Sequence, residues 1–187
     1  DIPRENFVPE EYQNLVFADM EIPLNNSEKM LSPKIEGRIL DSLDLKGHED
    51  VLEIGTGSGY FTAVLASLAK SVKSIEIHKE LIDAAKEKID VLNISNVELV
   101  NEDALNLNLG NEKFDTIVVG CALPVISENL KRALKLSGKL FIVVGSKNQM
   151  HATLVERIDG DKWKSKSLFE TYIDLMNGSE PLPEFTF

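Results

Sequence analysis

The chain has 187 residues, with 20 Lys and Arg against 31 Asp and Glu, three His and one Cys, for a net charge of −11. At about 100–200 residues per domain the length predicts one domain, and 43% hydrophobic against 27% charged residues is a globular mix, not a disordered one. The acidic balance argues against a partner gripped through phosphates, so no nucleic acid is expected. A lone Cys excludes an internal disulfide and fits a reducing cytoplasm, the expected location. The longest uncharged apolar stretch, from Tyr60 to Ala69, is too short to span a bilayer, so no membrane partner is expected either. No basic region followed by an apolar core opens the chain, so no secretory signal is expected. The chain begins on Asp1 rather than Met, and a natural segment before it is expected to be missing.

Residues 1–30 are expected to be irregular, punctuated by Pro3, Pro9 and Pro23, with Phe7, Val8, Tyr12 and Phe17 among the apolar contacts. Asn25-Asn26-Ser27 is a turn signal. Ser32-Pro33 predicts a helix start, Ser32 at the N-cap and Pro33 at the first helical position. Ile35, Ile39, Leu40 and Leu43 follow at helical spacing, and Lys46-Gly47 is expected to end that helix. From residue 50 strands and helices alternate. Strands are predicted over 51–54, 72–77, 97–100, 114–119 and 140–144. Helices are predicted from the glycine loop to about Ala69, over 79–92 and over 124–136. Cys121 is placed just past the fourth of these strands, where a small buried hydrophobe is the ordinary role of a lone cysteine. Residues 152–158 and 163–173 predict two further strands around an Asp159-Gly160 hairpin turn. Asn177-Gly178 turns again, and Pro181 and Pro183 are expected to keep the tail extended.

This rhythm implies an α/β fold, a Rossmann-like doubly wound sheet, mostly parallel, closed by an antiparallel hairpin. One domain is expected over 1–187. Residues 1–45 would form an N-terminal helical or irregular lid, 46–146 a ligand-binding core, and 147–187 the closing strands and tail.

Glu53-Ile54-Gly55-Thr56-Gly57-Ser58-Gly59 sits where an apolar strand hands over to a helix. Open α/β sheets bind ligands at that edge, and glycines let a ligand approach the backbone without a Cβ in the way. A tight turn without a ligand is the plain alternative. A dinucleotide fingerprint reads G-x-G-x-x-G, whereas here the spacing is G-x-G-x-G and Tyr60 follows. A carboxylate at Glu53 suits the amino-acid end of a ligand better than a pyrophosphate. Both points favour S-adenosylmethionine over a nicotinamide dinucleotide. Glu76, twenty-one residues after Gly55, ends the second predicted strand with Ile77 beside it, and its carboxylate can accept from both ribose hydroxyls. Asp103, followed by Ala104, can accept from an adenine amino group, or serve as a plain helix N-cap. His48, His78 and His151 show no metal-ligand spacing, so no metal is expected.

These residues, with Pro3-Arg4-Glu5, Phe7-Val8-Pro9, Ser74-Ile75-Glu76, Phe114-Asp115 and Leu136-Ser137-Gly138-Lys139-Leu140, resemble the protein-L-isoaspartate O-methyltransferase family over most of the chain. The resemblance implies a seven-stranded methyltransferase fold, S-adenosylmethionine as donor and S-adenosylhomocysteine as product. It also implies isoaspartyl-containing proteins as substrates, in the repair of damaged aspartyl and asparaginyl sites. It places Thr56 and Ser58 with Gly55, Gly57 and Gly59 in the cofactor loop. Ser32 matches the serine of the family's Gly-Gln-Thr-Ile-Ser motif, and so is the expected catalytic residue, orienting the acceptor or the cofactor by hydrogen bond. A plain N-cap before Pro33 is the other role for it, and the two are compatible. Ahead of Ser32 this chain carries Lys29-Met30-Leu31 in place of Gln-Thr-Ile, and the preceding glycines are gone. That segment leaves two other readings open, a methyltransferase of the same fold with another acceptor and a non-catalytic cofactor-binding protein.

Overall fold

The structure, a computed structural model, describes residues 1–146 and 149–180. The expected extended tail at Pro181 and Pro183 lies outside the described residues.

The first thirty residues hold more order than expected. Two 3-10 turns, Arg4–Asn6 and Glu10–Leu15, precede a small antiparallel pair, β1 (Ile22–Pro23) and β2 (Lys29–Met30). Asn25–Ser27 turns between them, with Asn26 and Ser27 both at φ 62°, a left-handed backbone that Asn tolerates better than most residues. Helix α1 (Pro33–Leu43) starts with Ser32 and Pro33 where expected. It ends at Leu43, three residues before the expected stop, because Asp44 turns left-handed at φ 53° and its N–H closes on the Leu40 carbonyl.

The strands β3 (Asp50–Ile54), β4 (Ser71–Glu76) and β5 (Val97–Asn101) alternate with α2 (Tyr60–Leu68) and α3 (Lys79–Val91). Strand β6 (Phe114–Leu123) is longer than predicted, so Cys121 lies within the strand and not past it. The predicted helix over 124–136 shrinks to α4 (Glu128–Arg132), and β7 (Leu134–Ser146) already begins where that helix was expected to end. Apolar residues at 126, 130, 133 and 134 fit a helix, but Leu134 pairs with Phe114 and the chain bulges before Lys139 pairs with Thr116. Ser137 at φ 62° and Gly138 make the bulge, and a Cβ on Gly138 would lie 2.8 Å from the Lys135 carbonyl oxygen. Strands β8 (Gln149–Asp159) and β9 (Lys162–Glu170) form the predicted hairpin. Strand β9 stops at Glu170, short of the expected residue 173; Ile173 instead packs under the sheet and Leu175 pairs with Ala122.

The seven strands run in the order β5-β4-β3-β6-β7-β8-β9, parallel as far as β7 and antiparallel beyond it. Alternation along each strand sends Val51, Val72, Val118 and Phe141 to one face, beneath Ile39 and Leu43 of α1 and Phe61 and Leu65 of α2. Leu52, Ile75, Ile117 and Leu140 go to the other, beneath Leu107 and Leu130. The N-terminal segment packs Phe7, Val16, Ile22 and Met30 against Ala63 of α2 and Ile89 of α3. Full burial of Phe7 alone is worth about 1.5–3 kcal/mol, enough to fasten that segment over the core.

Candidate active site

The strand order reverses between β3 and β6, so a crevice opens at their carboxyl ends. Gly55 and Gly120 face each other there, and a Cβ on Gly55 would lie 3.9 Å from the Gly120 Cα. Gly55, Gly57 and Gly59 have φ of 96°, 52° and 84°, in the left-handed region that glycine adopts most readily. Their roles differ. Gly55 and Gly57 line the crevice. Gly59 lies against α3, where a Cβ would come within 2.8 Å of the Ala85 Cβ, so it serves helix packing.

The main cleft is lined by Gly55, Gly57, Glu76, Ile77, Asp103 and Ala104 from the core and by Glu21, Glu28 and Lys29 from the N-terminal segment, whereas Glu53, Thr56, Ser58 and Gly59 do not line it. Ile173 to Asn177 close it from the C-terminal side. Glu76 is buried, one carboxylate oxygen accepting from the Gly57 N–H at 3.0 Å and the other from the His78 N–H at 3.0 Å. Each oxygen keeps a further lone pair for a ligand hydroxyl. Asp103 accepts from the Leu105 N–H and the Asn106 side-chain amide, so it shapes its own turn; no helix follows it, which removes the N-cap alternative.

A second, smaller cavity adjoins the first beneath the loop, sharing Gly55, Gly57, Gly120, Lys29 and Leu31 and adding Glu36, Glu53, Thr56 and Ser58. Glu53 is buried, and one of its oxygens accepts from the hydroxyls of Thr62 and, at 2.6 Å, Ser74. Burial pushes its carboxyl up to about 7, against the pull of the Ser74 and Thr62 hydrogen bonds. Thr56 Oγ1 lies 2.6 Å from Ser74 Oγ and extends this network to the loop. The Ser58 hydroxyl accepts from the Tyr60 N–H at the start of α2.

Ser32 is buried at the start of α1 but lines neither cavity. Its backbone is that of an N-cap, yet its hydroxyl makes no capping bond. Hydrogen bonds from Lys34, and second from Ser32, hold the exposed Asp19 carboxyl below its ordinary range. Leu31, one residue earlier, reaches both cavities, as Lys29 does. It is anchored by Arg4, a buried guanidinium that donates to the Leu31 carbonyl at 2.8 Å, to the Val16 carbonyl at 3.0 Å and to Glu36. Cys121 lines the cleft, and burial pushes its thiol up to about 12, toward the protonated form.

Sequence reasoning missed the far wall. Glu28 lies 3.2 Å from His78 Nε2 and accepts from the Asn177 amide at 2.8 Å, joining three distant segments across the mouth; His78 is thus held, not solvated as a loop histidine would be. Lys29 pairs with Asp174 at 2.6 Å and Glu21 at 3.5 Å. No local motif marks these contacts. Gly120, ending an apolar strand run, is the one signal that was available.

A crevice at the switch point, a glycine loop free of Cβ atoms and an acidic side chain ending the second core strand fit a nucleoside cofactor with an amino-acid end. Fold and cleft define a Rossmann-like methyltransferase. Residues 1–180 match the model of the protein-L-isoaspartate(D-aspartate) O-methyltransferase family. A protein-L-isoaspartate O-methyltransferase of Dictyoglomus turgidum is 39% identical over 166 residues, covering 87% of this chain and 74% of that one. One of Aliivibrio salmonicida is 33% identical over 178 residues, covering 95% and 85%. The chain belongs to this family. Among solved structures, a protein-L-isoaspartate O-methyltransferase superposes with a TM-score of 0.84 at 24% identity, covering 96% of this chain and 59% of that one. A Plasmodium falciparum chain described in the same terms, in complex with S-adenosyl-L-homocysteine, gives 0.80 at 19% identity, covering 94% and 86%. At those identities the likeness is one of fold.

Proposed function

We propose that this protein transfers the methyl group of S-adenosylmethionine to the free carboxylate of isoaspartyl residues, as a step in the repair of damaged proteins. The observation that carries the reading is the family match over residues 1–180, joined to a cleft lined by Gly55, Gly57, Glu76 and Asp103. Bound S-adenosylmethionine supplies an electrophilic methyl group on a sulfonium.

The chain's own residues bind, orient and exclude water. Glu76 offers its remaining lone pairs to ribose hydroxyls, and Asp103 and Ala104 would hold the adenine. Glu53, Thr56 and Ser58 surround the amino-acid end in the second cavity. The acceptor is ionised at pH 7, since a free carboxyl titrates near ~4, so no general base is required. The acceptor oxygen forms a bond to the methyl carbon as the carbon–sulfur bond breaks, leaving a neutral ester and a neutral thioether. Alignment of the two partners is the main contribution, worth up to ~7–11 kcal/mol in well-oriented reactions. Leu31 and Met176 are among the apolar side chains that line the cleft and exclude water. Ser32 stands outside both cavities with its hydroxyl bonded to Asp19, so it does not touch the acceptor, and Arg4 is the residue that positions Leu31.

The test offers labelled S-adenosylmethionine with an isoaspartyl peptide and its normal aspartyl twin. Label on the isoaspartyl peptide alone, released as methanol in mild base, is expected. Labelling of both peptides, or of neither with S-adenosylhomocysteine still bound, would overturn the acceptor assignment.

A further inference from the structure

Six carboxylates, those of Glu21, Glu28, Glu76, Glu102, Asp103 and Asp174, stand on the wall of the main cleft. Among the described residues lining either cavity, Lys29 is the one cationic side chain. Among these side chains, that ammonium is the one that attracts an anionic acceptor. Lys29 lines both cavities, as Gly55, Gly57 and Gly120 do. Its ammonium is already engaged by a carboxylate, that of Asp174, at 2.6 Å, with Glu21 at 3.5 Å. The Asp174 side chain is 49% exposed and that of Lys29 38%, so the pair is reachable from solvent.

We propose that Lys29 is the receptor for the acceptor carboxylate, and that Asp174 is an internal stand-in which the substrate displaces. The inference rests on the isoaspartyl reading given above and adds to it the residue that recognises the substrate's charge. The chemistry sets the consequence. Methylation converts the acceptor carboxylate into a neutral ester, so its charge fades along the reaction. The pairing with Lys29 is therefore stronger with the substrate than at the transition state, and it acts in binding, not in rate. It is lost altogether in the ester, and Asp174 then recovers the ammonium. Lys29 thus captures the acid and releases the ester, while Asp174 sets the threshold for entry.

The test is steady-state kinetics on the isoaspartyl peptide for the parent, Lys29→Met and Asp174→Asn, with S-adenosylhomocysteine affinity measured on each by calorimetry. Lys29→Met is expected to raise the peptide KM by at least about fivefold, the scale of one part-exposed charge-assisted hydrogen bond, with kcat unchanged or raised. Asp174→Asn is expected to lower KM, because it removes the competing carboxylate and keeps the shape. Cofactor affinity is expected to hold in both, which also shows that both fold. An unchanged KM in Lys29→Met with an active parent would overturn the role of Lys29 and leave the function standing. Weakened cofactor binding in Lys29→Met would reassign the ammonium to the cofactor. A parent inactive on the isoaspartyl peptide would overturn the functional reading and this proposal together.

Discussion

Replacing Arg4 with Met removes a buried guanidinium while filling most of its volume. Three acceptors lose their donor, the carbonyls of Val16 and Leu31 and the carboxylate of Glu36. Removing one member of a buried ion pair usually costs about 3–5 kcal/mol, because the other charge stays behind unpaired. Here Glu36 has an escape. Burial already pushes its carboxyl up to about 7 with Arg4 pulling the other way, so without Arg4 it rises further and takes up a proton at neutral pH. That proton relieves the stranded charge, and the expected loss is the lower end of the range, about 3 kcal/mol out of a total of roughly 5–15 kcal/mol. The assay is urea unfolding followed by circular dichroism at pH 7, where a lower midpoint at unchanged slope reports the loss. The loss is expected to be smaller at pH 5, where Glu36 is protonated in both proteins, and larger at pH 8. Arg4→Met/Glu36→Met, with no charge left to strand, is expected to recover much of the stability. A loss under ~1 kcal/mol for Arg4→Met, or one independent of pH, would refute the argument that this pair fastens the N-terminal segment.

Glu76→Gln keeps the shape but turns an acceptor toward a backbone N–H into a donor, at Gly57 or at His78, and S-adenosylhomocysteine affinity by calorimetry is expected to fall by about 1–3 kcal/mol. Equal affinity would remove Glu76 from the site. Gly59→Ala is expected to destabilise folding in thermal melts, since its Cβ would meet Ala85 at 2.8 Å in a left-handed backbone, whereas Gly57→Val is expected to abolish cofactor binding. If the first left stability unchanged, or the second left affinity unchanged, the division of labour within the loop would be wrong. Glu36 and Glu53, both pushed up to about 7 from 4.5 by burial, hold protons in the folded chain that the unfolded chain releases. Their stabilising contribution is present below pH 4.5 and lost as pH rises through about 7. Asp50 and Asp115, held low by Lys135 in particular, act in the opposite sense only below their ordinary value of 3.8. Tm is therefore expected to fall from pH 5 to pH 7.5, and to fall less in Glu53→Gln; a rise across that interval would contradict the burial argument.

Much of the core was legible because its signals are local. Strands β3 to β5 and helices α1 to α3 were read to within a few residues, since an apolar run, a glycine loop and a helical repeat each follow from adjacent side chains. The hairpin at Asp159-Gly160 was legible for the same reason. The stretch from 124 to 136 was not, because the same apolar spacing satisfies a short helix followed by a bulged strand, and only pairing with Phe114 and Thr116 selects the strand. The end of β6 at Cys121 to Leu123 likewise depends on partners in β7, Val143 and Val144.

The candidate site divides along the same line. Sequence alone picked out six residues on the core side of the cleft, Gly55, Gly57, Glu76, Ile77, Asp103 and Ala104, because each ends or follows a strand of a parallel sheet and such sheets present their carboxyl edges together. It could not place Lys29 against Asp174, or Glu28 against His78 and Asn177, since those contacts join segments roughly 50 to 150 positions apart whose charges look like ordinary solvated ones. Nor could it separate Ser32 from the cavities or show one oxygen of Glu53 held in a hydroxyl network. Burial and the direction of a side chain are set by what packs over it, and that is decided only when the N-terminal segment folds back across the sheet.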